Sequence, residues 1–381
     1  MAKNKKKKIP WQGALMVLVF MALGGVCGVM IAAHLDTIAP TDADLGQIIF
    51  RFAGMILVLY VLMFLQIVVH EGGHLLFGLL SGYKFSSFRV ASFMWIKQEG
   101  TLRFKRLSLA GTGGQCLMDP PDLVDGKLPV VLYNLGGSIL NLISALLCLI
   151  LWRLTLGLAL WPVVFLMSAF IGLVYALVNG IPLRLGAVDN DGHNALALGK
   201  DPAALRAFWI QMKMAALQSQ GIRLKDMPEE WFEFPNEEGM KNSLIAVLAV
   251  FRCNRLMDQH KFQAAREEMT PLVAGDTSLM GIYQNLLTCD LMYCELLFEN
   301  RPDRLERMYT KGQKKFMKNM KKFPSVLRTQ YAYALLAEKD RSKAEKLRQQ
   351  FEKVGKSYPY PVEWAGEQEL MDLAAARAET A

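Results

Sequence analysis

Residues 52–83 form an apolar run that contains one acidic side chain and no lysine or arginine. The run exceeds the roughly 20 residues that a helix needs to cross a hydrocarbon core. A backbone in lipid must satisfy its own hydrogen bonds, so an uninterrupted run of this length is constrained to be a helix. Inside it stand His70, Glu71, Gly72, Gly73 and His74. Residues four apart share a helix face, so both imidazoles come together with Glu71 beside them. Ionisable side chains in a membrane are costly and mark a functional site. The H-E-x-x-H pattern supplies two nitrogen ligands for Zn²⁺ and a carboxylate that can serve as general base. On a soluble helix the same residues would read as a surface His–Glu pair. Gly72 and Gly73 leave room for another backbone, whether a packed helix or a substrate.

Composition narrows the class. Of 381 residues, 52% are hydrophobic, which is high for a soluble enzyme of this length. The net charge of +8 does not point to nucleic acid, because five lysines fall within residues 1–8 and no nucleic-acid motif accompanies the rest. Six cysteines include no C-x-x-C pair and no secreted-type framework, so reduced thiols are expected.

In chain order, residues 11–33 are long enough to span a bilayer and too long for the apolar core of a cleaved signal peptide, the competing reading. The lysines ahead of them place the N-terminus in the cytoplasm. Residues 34–47 carry Asp36, Asp42 and Asp44 but no lysine or arginine, which suits the outer face. A second span over residues 48–80 returns inward. His70 lies about 28 Å along it from Arg51, which puts the histidines in the inner leaflet. Residues 86–109 alternate in polarity around a turn at Gln98-Glu99-Gly100 and predict a β-hairpin, either closing the fold or offering an edge strand to an extended peptide. Residues 107–125 are rich in Gly, Asp and Pro and read as loop. Third and fourth spans follow at 128–152 and 156–178. Asn134 and Asn141 in the third must bond a neighbouring helix or face the site. Four crossings bring Asn179-Gly180-Ile181-Pro182 and Asp189-Asn190-Asp191-Gly192-His193 to the same face as the histidines.

Together, HEGGH in an apolar helix, the downstream Asn-x-x-Pro, an Asp-Gly after it, and Gly137-Ser138-Ile139-Leu140-Asn141 resemble the site-2 protease family of intramembrane zinc metallopeptidases over residues 48–200. The family element reads Gly-Pro-x-x-Asn, so Ser138 departs from it. The resemblance implies that His70, His74 and Asp191 hold one Zn²⁺ per chain, that Glu71 activates a zinc-bound water, and that Asn141 positions the substrate or the developing oxyanion. The commoner family spacing would place the aspartate at position 187, which is Ala187, so the loop holds an insertion. Asp189 is the alternative ligand. Asp191 is preferred because Gly192 permits a sharp turn behind it, while both aspartates also suit the cap of a helix beginning near Asn194.

From residue 201 the pattern is helical: 202–220, a Pro- and Glu-containing connector over 224–237, then pairs 238–258 with 261–273, 277–299 with 302–320, and 324–337 with 340–354. Ala264-Ala265 and Ala344 put small residues just inside second helices, which resembles tetratricopeptide pairs of irregular period. Such pairs can offer a surface to a protein partner or simply pack as a domain.

The expected architecture is therefore mainly α: a polytopic membrane protein of about four transmembrane helices with a small β-hairpin insertion, and a cytoplasmic all-α domain. Its divisions are an anchor and external loop at 1–47, a metalloprotease core at 48–200 and a helical domain at 201–381. The expected activity is endopeptidase cleavage of a membrane-embedded or membrane-associated protein near the cytoplasmic leaflet. By the resemblance, the location is a bacterial inner membrane with both termini cytoplasmic. Regulated cleavage of a signalling protein and trimming of leftover signal peptides both fit. A catalytically silent scaffold acting through the helical domain is the alternative, and a metal transporter or sensor would need more intramembrane ligands than Asn134 and Asn141 supply.

Overall fold

A computed structural model describes residues 11–34, 44–107, 112–185, 188–275 and 277–380. The basic residues 1–8 and most of the 34–47 connection lie outside them. Contacts divide the chain into two units that interleave along the sequence: residues 1–81 with 129–197, and residues 82–128 with 198–381.

The first unit holds α1 (Trp11–Ala32), α2 (Leu45–Leu80), α3 (Val130–Leu154), α4 (Trp161–Gly180), a two-stranded ribbon β5 (Arg184–Leu185) and β6 (Val188–Asp189), and the short α5 (Asp191–Ala197). Among the described residues, α2, α3 and α4 are long and apolar enough to cross a membrane. Helix α1 occupies the predicted first span, though many of its side chains fall outside the description. The polarity of α2 is inverted relative to a soluble helix. It buries Leu62, Gln66, His70, Glu71, Gly73, His74 and Gly78, while Phe50, Tyr60 and Leu80 are exposed. The buried set repeats at three and four residues, so one polar stripe faces the other helices and the apolar remainder faces outward. So much uncovered apolar surface is consistent with membrane association.

Helix α3 packs along both α2 and α4. Its approach to α2 is set by glycine. A Cβ on Gly73 would lie 2.2 Å from the Gly136 carbonyl oxygen, so neither backbone admits a side chain at the crossing. Gly72 is different, since a Cβ there would meet only Leu140 Cδ2 at 3.9 Å.

In the second unit, β1 (Lys84–Val90), β2 (Phe93–Gln98), β3 (Thr101–Arg106) and β4 (Gly114–Asp119) form an antiparallel sheet in the order β3-β2-β1-β4. The expected turn joins β2 to β3, with Gln98 paired to Thr101 and both Glu99 and Gly100 at positive φ, as a two-residue turn of the I′ type requires; the single hairpin expected over 86–109 is corrected, because its first arm turns back after Val90 and is two strands, β1 and β2. The loop expected at 107–125 is corrected. Its Gly114–Asp119 portion is β4, paired with β1, because Cys116 and Met118 alternate inward against a partner strand that local composition does not reveal. The inner face, with Met94 and Ile96 buried on β2, is covered by α6 (Pro202–Ser219). Lys213 reaches Asp119 at 2.9 Å and Trp209 Nε1 donates to the Pro121 carbonyl. The sheet thus groups with the C-terminal helices, although sequence order sets it among the apolar spans.

The three predicted helix pairs are present. They are α7 (Ser243–Asp258) with α8 (Phe262–Ala274), then α9 (Gly281–Phe298) with α10 (Pro302–Met308) and α11 (Lys311–Asn319), then α12 (Pro324–Ala332) with α13 (Arg341–Gly355). Helix α12 runs on as a π-helical turn over Tyr333–Ala337. The second pair is broken where Thr310 caps α11 by accepting from the Gln313 N–H. Ala265 and Ala344, at the small positions noted above, are fully buried. A last helix, α14 (Pro361–Thr380), packs on α12 and α9. A buried ion-pair group links them: Arg328 on α12 bridges Asp290 of α9 and Glu367 of α14 and stacks over Tyr293.

Candidate metal centre

The site lies where α2, α3 and α5 meet. Four-residue spacing on α2 sets the two imidazoles in a T-shaped contact, with Nε2 atoms 3.2 Å apart. Asp191 at the first turn of α5 completes a triangle, its Oδ2 lying 3.1 Å from His70 Nε2 and 3.3 Å from His74 Nε2. His70, Glu71 and His74 are each less than a tenth exposed. The Asp191 side chain is 26% exposed, so the cluster opens towards α5.

Each histidine is fixed from behind. His74 Nδ1 lies 2.8 Å from the Tyr133 carbonyl oxygen, and His70 Nδ1 lies 2.8 Å from Asn141 Oδ1. Both partners are acceptors, so both Nδ1 atoms carry the proton and both Nε2 lone pairs point into the cluster. Two imidazole nitrogens and a carboxylate oxygen facing one another could hold a metal ion. Tetrahedral coordination with bonds of about 2.0–2.1 Å separates its ligand atoms by roughly 3.3–3.4 Å. The observed separations of 3.1, 3.2 and 3.3 Å fit that spacing with little adjustment. Asp191 supplies the one carboxylate oxygen of the set.

Glycine again determines the geometry. A Cβ on Gly137 would stand 2.5–2.7 Å from three atoms of the His70 ring, so α3 can pass behind the imidazole only as glycine. A Cβ on Gly192 would lie 2.2 Å from the Gly180 carbonyl oxygen. Gly192 is therefore required for α5 to sit on the end of α4. It is helical, which corrects the sharp turn expected of it.

The spacing between Asn179 and Asp191 also has a structural account. The extra residues form the β5–β6 ribbon, with Arg184 paired to Asp189 and Leu185 to Val188. Asp189 leaves that ribbon to approach His193 at 3.8 Å, whereas Asp191 joins the two histidines. Helix α5 starts at Asp191, three residues before the start expected near Asn194, and His193 lies half-buried within it.

Asn190 was not singled out from sequence. Its Oδ1 accepts from the Leu183 and His193 N–H groups, and its Nδ2 donates to the Val178 and Ile181 carbonyls. It both caps α5 and ties it to α4. The available signal was an asparagine immediately ahead of a helix start. Asn141 is fully buried, its Oδ1 on His70 and its Nδ2 on the Gln66 carbonyl and side chain, so it stands directly behind the His70 ring. Asn134 donates to Val130 and Asn179 to Tyr175, each one turn back in its own helix. No protein family, curated protein or solved structure matches the chain.

Proposed function

We propose that this protein is a zinc-dependent endopeptidase of the site-2 protease type, acting within a bacterial cell membrane on a membrane-embedded or membrane-associated protein. The reading is carried by the convergence of His70 Nε2, His74 Nε2 and Asp191 Oδ2 inside an apolar bundle, with Glu71 next to the first of them on the same helix. Two nitrogens and one carboxylate leave a tetrahedral ion an open position, the arrangement of catalytic rather than structural sites. When bound, zinc supplies a Lewis acid that makes a water more acidic and polarises a peptide carbonyl.

The remaining work falls to the chain. Asn141 and the Tyr133 carbonyl hold the imidazoles in the ligating tautomer. A carboxylate oxygen of Glu71 accepts the proton of the attacking water and returns it to the departing amide nitrogen. The apolar outer faces of α2, α3 and α4 keep the site in a membrane, and the exposure of Asp191 provides a route for water. A helical substrate must unwind locally, because its amides are otherwise engaged in their own hydrogen bonds. Cleavage near the cytoplasmic leaflet, with both termini cytoplasmic, follows from the lysines of residues 1–8 and the crossing count. The helical pairs of the second unit offer a surface for a protein partner.

The test is purification in detergent, metal analysis, and cleavage of a transmembrane reporter by wild type and Glu71→Gln. Near one zinc per chain, with cleavage lost in Glu71→Gln while zinc is kept, is the expected result. Equal cleavage by both proteins would refute the peptidase mechanism, and zinc without any cleavage would favour the silent scaffold.

A further inference from the structure

Gln66 stands one helical turn before His70, 2% exposed, in the middle of an apolar segment. A primary amide in such a place must be fully bonded or it costs several kcal/mol. Its Nε2 lies 3.3 Å from the Ser168 carbonyl oxygen, 3.2 Å from Ser168 Oγ and 3.1 Å from Ser144 Oγ. Its Oε1 accepts from Asn141 Nδ2 at 2.8 Å. Helix α4 accommodates this amide at Gly172, where a Cβ would lie 3.1–3.2 Å from the Gln66 amide atoms.

The direction of every bond in this chain is fixed by groups that cannot reverse. The Ser168 carbonyl only accepts, so Gln66 must present Nε2 to it and Oε1 to Asn141. The Gln66 carbonyl also only accepts, at 3.0 Å from Asn141 Nδ2, so Asn141 must present Oδ1 to His70. His70 must then carry its proton on Nδ1 and turn a bare Nε2 towards Asp191 and His74. Amide orientations and imidazole tautomers are ambiguous when seen alone; here two backbone carbonyls remove the ambiguity.

We propose that Gln66 is a positioning residue of the metal centre: through Asn141 it sets the tautomer of His70 and thereby the affinity of the site for its metal. This rests on the metal-site reading above. It adds that a glutamine with no ligand contact determines whether His70 can bind.

The test uses the full-length protein in detergent micelles with histidine ring nitrogens labelled with ¹⁵N. The variants are Gln66→Met, which keeps volume and removes both polar ends of the side chain, and Ser168→Ala, which leaves the Ser168 carbonyl in place. In metal-free wild type, ¹⁵N NMR should show His70 as a single Nδ1–H tautomer. Gln66→Met keeps the main-chain acceptor of Asn141 Nδ2 and removes the side-chain one, so a second His70 tautomer should become detectable, with zinc affinity lowered about 10-fold in chelator competition, the low end of the range for loss of a group behind a ligand. Gln66→Met combined with Asn141→Ala should be little worse than either alone, because both act through one bond. Ser168→Ala should match wild type. A single Nδ1–H tautomer in Gln66→Met, or additive losses in the double variant, would overturn the proposal even if Gln66→Met unfolds more easily. Wild type with the expected tautomer but no affinity for zinc, cobalt or manganese would instead refute the metal-site reading and leave the tautomer result to judge Gln66.

Discussion

Gly137→Ala is an informative perturbation because it adds one methyl group to the interior of a helix and touches no ligand atom covalently. By helix propensity alone the change should stabilise α3 by up to about 1 kcal/mol. The new Cβ would stand 2.5 Å from His70 Cε1, 2.6 Å from Nδ1 and 2.7 Å from Nε2. Ordinary carbon contacts need about 3.5–4.0 Å, so the ring must move by roughly 1 Å. The backbone cannot yield easily, since the neighbouring Gly136 is already in contact with Gly73. A metal site tolerates displacements of only about 0.2 Å in its ligand distances. A 1 Å shift therefore removes His70 from coordination and stretches its 2.8 Å bond to Asn141. Loss of one of three ligands should weaken zinc binding by at least about 100-fold, near 2.7 kcal/mol. Gly72→Ala is the matched control, since its Cβ meets only Leu140 at 3.9 Å and metal affinity should stay within about twofold, under 0.5 kcal/mol. Chelator competition measures both affinities, and thermal unfolding of the metal-free proteins reports stability. Wild-type affinity in Gly137→Ala, or a loss in Gly72→Ala as large as in Gly137→Ala, would refute the packing argument.

Four further outcomes are expected. Glu71→Gln should keep its metal and lose about 10²–10⁴-fold in peptide cleavage, as removal of a general base does, measured on a transmembrane reporter. Asp191→Asn should release metal on dialysis, whereas Asp189→Asn should retain it, because only Asp191 reaches both histidines. Arg328→Met should destabilise the second unit by about 3–5 kcal/mol in denaturant unfolding, since Asp290 and Glu367 are then left buried without their partner. Glu363 gives a pH signature. Burial and the neighbouring Glu367 carboxylate, opposed by the Tyr358 hydroxyl, raise its carboxyl from 4.5 to about 7. A raised carboxyl favours the folded state at low pH, so its contribution is most favourable below about 4.5, declines as pH rises towards 7, and is flat above. Relative to wild type, Glu363→Gln should therefore gain stability between pH 5 and 8 by no more than about 3 kcal/mol, read as a flatter pH profile of unfolding.

Legibility from sequence followed the range of the interactions involved. His70, Glu71 and His74 could be placed on one face because helical period is covalently imposed and the apolar run leaves no other conformation. The β2–β3 turn was visible for a similar reason, since Glu99-Gly100 carries its own backbone preference. Strand β4 was not, because its residues become a strand only through pairing with β1, from which β2 and β3 separate it in sequence. The grouping of the sheet with the C-terminal helices was likewise hidden, as it depends on α6 covering Met94 and Ile96. Helix α14 was absent from the expected pairs, although its buried Leu370, Met371 and Ala374 complete the core.

The carboxylate that joins the two histidines marks the division most clearly. Sequence left Asp189 and Asp191 as alternatives, since both lie in one short polar loop and both suit a helix cap. The choice is made by contacts that no local pattern encodes: the β5–β6 ribbon that absorbs the extra residues, Asn190 bonding the end of α4, and the approach of Gly192 to the Gly180 carbonyl. Residue order alone was enough to put His70, Glu71 and His74 on one helix, because a fixed rise and turn per residue leave little to decide. Which carboxylate meets them, and how the imidazoles are held, emerges on folding, because those outcomes depend on fits of a few tenths of an ångström between segments distant in the chain.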